Sequence, residues 1–193
     1  MDFQQIIDIT DEAGVIKIGC IMGSGKVLYI KTGQDGTIYG YETRYLNLAQ
    51  MINETYGCTV FVSATTIDSK EIYDKEMQIA DQLLRNVPYE IYYMGISKGG
   101  LIGCWYGTEN PKLKKIVSIN APLMLNFHNK TSPAIKKYAH DQLTMVYGTL
   151  DPSYRYIKFI DTYASVKIVH GADHQFRNHP EMFEALACEL LWV

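Results

Sequence analysis

A serine with glycine two residues away on either side, Gly95-Ile96-Ser97-Lys98-Gly99, is the stretch of this sequence best suited to chemistry. A serine hydroxyl attacks a carbonyl carbon only when a base takes its proton. Near neutral pH the natural base is histidine. The imidazole in turn needs a carboxylate that holds its tautomer and stabilises its charged form. The pattern G-x-S-x-G is weak alone, since roughly one chain of this length in fifteen carries it by chance. Its weight comes from the elements around it and from a base and an acid in the right places.

The preceding run, Glu90-Ile91-Tyr92-Tyr93-Met94, is rich in β-formers, and the following one, Leu101 to Tyr106, suits a buried helix. A strand–turn–helix this tight is the setting of a nucleophile elbow. The turn forces Ser97 into a strained backbone, and side chains at positions 95 and 99 would collide, which calls for glycine at both. Gly100 and Gly103 let the helix lie close on a sheet. The hydroxyl then stands at the positive end of the helix.

The elements that must bring it a base follow from the rest of the chain. Phe3 to Ile9 and Val15 to Ile21 form a hairpin across Asp11-Glu12-Ala13-Gly14. Met22 to Lys26 is a turn; its Gly23-Ser24-Gly25-Lys26 lacks the first glycine and the hydroxyl of a phosphate loop. Six strands follow, at Val27–Lys31, Cys58–Val62, Glu90–Met94, Leu113–Ile119, Leu143–Tyr147 and Val166–Val169. Between them, helical spacing appears at Tyr45, Leu48, Ala49, Ile52 and Tyr56, stopped by Gly57, and at Tyr73, Met77, Ala80 and Leu84. Asp68 or Ser69 is the cap of the latter, with Glu71 closing a capping box to Asp68. One or two helical turns are expected near Ala134 to Tyr138, and helices through Tyr156 to Tyr163 and from Pro180 onward. Strand and helix alternate, which implies a single α/β domain over residues 1–193. Its sheet is mostly parallel, with about eight strands, an antiparallel N-terminal hairpin and helices on both faces.

In such a sheet the cleft opens at the carboxyl ends of the strands. Of the five histidines, His174 lies in a loop directly after the last strand, in Gly171-Ala172-Asp173-His174-Gln175-Phe176. His170 reads as a satisfied structural residue, His179 as a cap beside Pro180, His128 as part of a mixed segment, and His140 as lying at the wrong edge. Asp151 follows the strand Leu143–Tyr147 through a short glycine turn. Asp173 is too close to His174 in the chain to orient its ring, and the strand ending at Asn120 has no acid at its tip. Asp151 is the candidate acid, although an aspartate before proline is also a common turn residue.

Taken together, Gly95-Ile96-Ser97-Lys98-Gly99, Gly148-Thr149-Leu150-Asp151 and Gly171-Ala172-Asp173-His174-Gln175-Phe176 make the chain resemble a small α/β-hydrolase over nearly its whole length. The order Ser97, Asp151, His174 is that of the superfamily. The resemblance implies an acyl-enzyme on Ser97, with His174 as base and then acid, Asp151 as its orienting partner, and no metal or organic cofactor. It places one oxyanion donor at the backbone N–H of Lys98. The second belongs to the loop after Val27–Lys31, where this chain has Thr32-Gly33 in place of His-Gly. The N–H of Gln34 is the candidate, and Gln34 reads equally well as an ordinary loop residue. A cap domain often found between the strands ending here at Asn120 and starting at Leu143 is reduced to a short insert, 123–140. Leu123, Met124, Leu125 and Phe127 are expected either as apolar acyl contacts or as core.

Composition narrows the partners. A formal charge of −3 and no basic run argue against nucleic acid. No stretch reaches the length of a membrane span. Four scattered cysteines without C-x-x-C, and an N-terminus without a basic region, predict a cytoplasmic protein. The expected partner is a small-molecule acyl substrate. Ester or thioester hydrolysis leads, with acyl transfer or peptide cleavage on the same residues, or a catalytically silent binding protein, as alternatives.

Overall fold

The computed structural model describes residues 2–11, 14–64 and 69–191. Its eight-stranded sheet runs β1-β2-β4-β3-β5-β6-β7-β8. β1 (Gln5–Asp11) and β2 (Gly14–Ile21) form the hairpin, and β2 continues antiparallel onto β4 (Cys58–Ser63). The residues joining the hairpin, 12 and 13, lie outside the described residues. All other pairings are parallel, through β3 (Ser24–Lys31), β5 (Glu90–Ile96), β6 (Leu113–Ile119), β7 (Leu143–Gly148) and β8 (Ser165–Val169).

The order places β3 between β4 and β5. The chain leaves β3 towards β4 through α1 (Arg44–Tyr56), then returns across it to β5 through α2 (Lys70–Leu83). Strand order therefore reverses between β3 and β5, and at such a point the loops after neighbouring strands diverge to opposite faces and leave a crevice. α3 (Lys98–Tyr106) packs with α2 on one face, whereas α1 packs with α5 (Glu181–Leu191) on the other.

Alternation along the strands divides the core in two. On β3, Val27 and Tyr29 join the α2–α3 side, whereas Leu28 and Ile30 join the α1–α5 side; on β5, Tyr93 and Tyr92 divide likewise. The central strands are buried on both sides, as a parallel sheet covered by helices requires.

Four details differ from the sequence reading. β3 begins at Ser24, so Gly23–Lys26 is only partly a turn; an irregularity between Ser24 and Val27 admits the extra length. Ser69 is the N-cap of α2 without a side-chain bond, Glu71 pairs with Lys75 at 2.9 Å, and the capping box to Asp68 falls on a residue outside those described. The segment through Tyr156 winds as a 3₁₀ helix, Pro152–Phe159, whose first turn is held by Asp151. Between β6 and β7 a π-helical turn, Phe127–Thr131, runs into the single-turn α4 (Ser132–Ile135).

Candidate active site

Ser97 sits between β5 and α3 at φ 52°, ψ −121°. A residue with a Cβ holds a backbone of this kind only at a cost of about 1–3 kcal/mol, so the surroundings must enforce it. Its N–H donates to the carbonyl of Ile119 at 2.7 Å, and its own carbonyl accepts from Gly100 at 3.0 Å. The glycines leave no room for anything larger. A Cβ on Gly95 would lie 2.6 Å from the Gly100 backbone, and one on Gly99 2.4 Å from the carbonyl oxygen of Lys31. Deeper in the helix, a Cβ on Gly103 would stand 2.4 Å from the Tyr93 ring, so α3 does lie against the sheet as its glycines suggest.

Three strand tips bring the predicted side chains together. His174 Nε2 is 3.1 Å from Ser97 Oγ. Its Nδ1 meets Asp151 Oδ2 in a short hydrogen bond. The other carboxylate oxygen of Asp151 accepts from the N–H of Ser153 at 2.7 Å. Both oxygens are thereby committed, and the Asp151 side chain is 0% exposed while that of His174 is 44% exposed. The geometry gives imidazole a buried anion behind it and a hydroxyl in front. The pKa of His174 is raised from 6.5: the hydrogen bond to Asp151 raises it most, desolvation opposes this, and the charges of Asp151 and Asp173 add to the rise.

Asp173 does not compete for the ring. Its Oδ1 accepts from the N–H groups of Gln175 at 3.1 Å and Arg177 at 3.0 Å, which shapes the loop carrying His174. The other histidines lie apart. His170 is exposed, contrary to the expectation of a satisfied structural residue, because its side chain projects from the strand end to solvent. His179 faces Glu181 at 3.3 Å, His140 the hydroxyl of Ser165 at 3.2 Å, and His128 the ring of Phe127.

The loop after β3 closes the other side. A Cβ on Gly33 would come within 3.0 Å of Ser97 Cβ, so the loop passes directly against Ser97. Gln34 lines the cleft, and its N–H donates to no protein acceptor among the described residues. Lys98 is the first residue of α3.

One residue of this assembly escaped the sequence reading. Asn120, fully buried at the tip of β6 with φ 47°, donates from Nδ2 to the carbonyls of Asp173 (3.0 Å) and His174 (2.9 Å), while its Oδ1 accepts from the N–H of Gly148 (2.9 Å). It joins the loop carrying His174 to the end of β7, from which the turn to Asp151 starts. The available signal was an asparagine at a strand end on the cleft side, a residue that tolerates left-handed backbone.

The cleft has a volume of about 440 Å³ and is walled by Gly33 to Thr37, Gly40, Tyr41, Arg44 and Tyr45 on one side, and by Ile96, Ser97, His174 and Gln175 on the other. Of Leu123, Met124, Leu125 and Phe127, expected either as acyl contacts or as core, none lines this cleft. Leu123 and Phe127 are core residues, and Met124 and Leu125 are exposed elsewhere, because the insert after β6 folds over α3 and α4. Among the described residues no cluster of His, Cys, Asp or Glu is arranged to hold a metal ion, and no helix is long and apolar enough to cross a membrane.

A serine hydrolase homologue from Coxiella burnetii superposes with a TM-score of 0.72 at 13% identity, covering 99% of each chain. Est1E from Butyrivibrio proteoclasticus gives 0.68 at 14% identity over 95% of this chain and 96% of its own. A serine hydrolase without lid from Xanthomonas campestris gives 0.66 at 12%, over 96% and 92%. The chain has the α/β-hydrolase fold. No protein-family model matches its sequence, and no curated protein does either. Within the α/β-hydrolase fold, Ser97 lies at the strand–helix elbow, and Asp151 and His174 follow the last two strands of the sheet.

Proposed function

We propose that the protein is a serine hydrolase that cleaves a carboxylic ester or thioester through an acyl-enzyme on Ser97. The observation that carries this reading is the continuous contact from Ser97 Oγ to His174 Nε2 at 3.1 Å and from His174 Nδ1 to the buried Asp151. In the first step His174 removes the proton of Ser97 as Oγ adds to the acyl carbon, and Asp151 stabilises the imidazolium. The oxyanion is held by the N–H groups of Lys98 and Gln34. His174 then gives its proton to the leaving group. A water molecule, deprotonated by the same imidazole, releases the acid. No metal or organic cofactor enters these steps.

The solved structures of serine hydrolases with this fold support the reaction type, and the modest cleft supports a short acyl group. The insert at 123–140 is too short for a cap, and the chain functions as one domain. Four free cysteines suit a reducing compartment, and we place the activity in the cytoplasm.

A fluorophosphonate probe tests the reading directly. Labelling that vanishes in Ser97→Ala and falls sharply in His174→Ala is expected. A folded wild-type protein that takes no label would leave a silent binding protein as the answer. With p-nitrophenyl esters of rising chain length, turnover is expected to be fastest on short acyl groups.

A further inference from the structure

Among the described residues, Arg44 is the only lysine or arginine on the wall of the cleft that holds Ser97 and His174. It opens α1, half-buried, with its guanidinium 4.6 Å from the centre of the Phe183 ring and 5.6 Å from that of Tyr45. Nη1 donates to the carbonyl of Gln175 at 2.6 Å. Nε is buried and has no hydrogen-bond partner among the described residues. The rings and the carbonyl fix the plane of the group, but none of these neighbours is an anion. Among the described residues, Asp35 is the one carboxylate on the same wall, and it is exposed and forms no ion pair with Arg44. Neither do Glu42, Glu181 and Glu184 of the adjoining cavity.

A pre-oriented guanidinium, partly withdrawn from water and lacking a counter-charge, is suited to a planar anion. The remaining wall is mixed, with the polar side chains of Gln34, Thr37 and Gln175 beside Tyr41, Tyr45 and Ile96. Resting on the hydrolase reading, we infer that Arg44 receives a carboxylate of the substrate, so that the site acts on small esters or thioesters that carry a second, free acid group. The bond broken is the same acyl bond; Arg44 selects and orients the molecule and takes no part in proton transfer. Because the same guanidinium also braces the carbonyl next to His174, an effect of substitution on rate alone would not separate binding from support.

The separating measurement is a ratio. Monoethyl esters of succinate, glutarate and adipate are compared with the corresponding ω-carboxamide ethyl esters, which keep the size and lose the charge. In the wild type, kcat/KM for the acid should exceed that for its amide by roughly tenfold or more at one chain length at least, the scale of one charge-assisted hydrogen bond. In Arg44→Gln the ratio should fall towards one, whatever happens to the absolute rates, and Arg44→Lys should keep part of it. No preference at any length in the wild type, or a ratio that survives Arg44→Gln, would overturn the inference and leave Arg44 as a brace for Gln175. Should Arg44→Gln not fold, Arg44→Lys decides, since a brace alone leaves the ratio untouched.

Binding without turnover is read in the Ser97→Ala protein by titrating the same ester pairs and following the Arg44 Nε–H resonance. A shift with the acids and none with the amides is expected; equal responses refute the carboxylate site. A wild type inert to the fluorophosphonate and to every ester would sink the hydrolase reading, while this titration would still decide the anion site.

Discussion

At the scale of the residue, the proposed chemistry depends on how Asp151 sets the proton affinity of His174. The buried carboxylate holds the imidazole pKa above 6.5, and the base works only when neutral. The acid limb of kcat/KM should therefore lie above pH 6.5, with activity rising as His174 loses its proton. Asp151→Asn removes the anion, so the limb should move to lower pH while the rate at its plateau falls on the order of 10⁴-fold. A pH–rate profile of both proteins checks this, and an unmoved limb in Asp151→Asn would separate Asp151 from the base. Folding has the opposite sign. A raised native pKa contributes stability that is fully present below the unfolded value near 6.5 and is lost as pH rises through the native one. The active form of the site is thus the less favoured one by linkage.

The convergence of Ser97, Asp151 and His174 was legible because each follows a strand. Arg44 was not, because nothing local marks the first residue of a helix as facing a cleft. Its neighbours Phe183 and Gln175 lie far along the chain, and only packing brings them to it.

At the scale of the element, the strand tips matter more than the helices. Asn120 on β6 reaches the loops after β7 and β8, and the neighbouring Ile119 carbonyl fixes the elbow after β5. Asn120→Asp replaces an amide that donates to two carbonyls with a carboxylate that repels them. A displacement of the base of about 1 Å can cost on the order of 100-fold in rate. We expect kcat of Asn120→Asp to fall by about that much with a smaller change in KM, in a protein whose circular dichroism remains native. Steady-state kinetics that leave kcat intact would reduce Asn120 to a packing role. Elements with a strong period were legible from the sequence: the hairpin, the six later strands, and the helices over Tyr45–Tyr56 and from Pro180. The 3₁₀ segment was not, since its shape follows from the demand that Asp151 face His174 and cap Ser153 together. Nor was the burial of Glu76. It lies on the inner side of α2 because Lys31, 45 residues away, meets it at 2.6 Å in the core. A charged residue among Tyr73, Met77 and Ala80 otherwise reads as solvent-facing.

At the scale of the whole molecule, the position of the cleft follows from strand order. Because β3 lies between β4 and β5, the loop carrying Gly33 and the turn carrying Ser97 leave adjacent strands toward opposite faces. The hairpin β1–β2 extends the sheet on the far side and takes no part in the cleft wall. Alternation of strand and helix was enough to infer the parallel sheet, and the parallel sheet was enough to put the three side chains on one rim. The reversal at β3 was beyond reach, since pairing order depends on which faces the helices cover.

The contorted backbone at residue 97 has a consequence for the fold's resilience and for its history. Glycine adopts positive φ without a Cβ to object, and the serine side chain caps nothing at the start of α3. Ser97→Gly should therefore melt above Ser97→Ala by roughly 2–4 °C for each kcal/mol of relieved strain, offset in part by the looser unfolded chain; calorimetry of the two variants measures the difference. If turnover were no longer required, glycine at this position would make the fold hardier, so the hydroxyl is kept at the expense of thermal resilience.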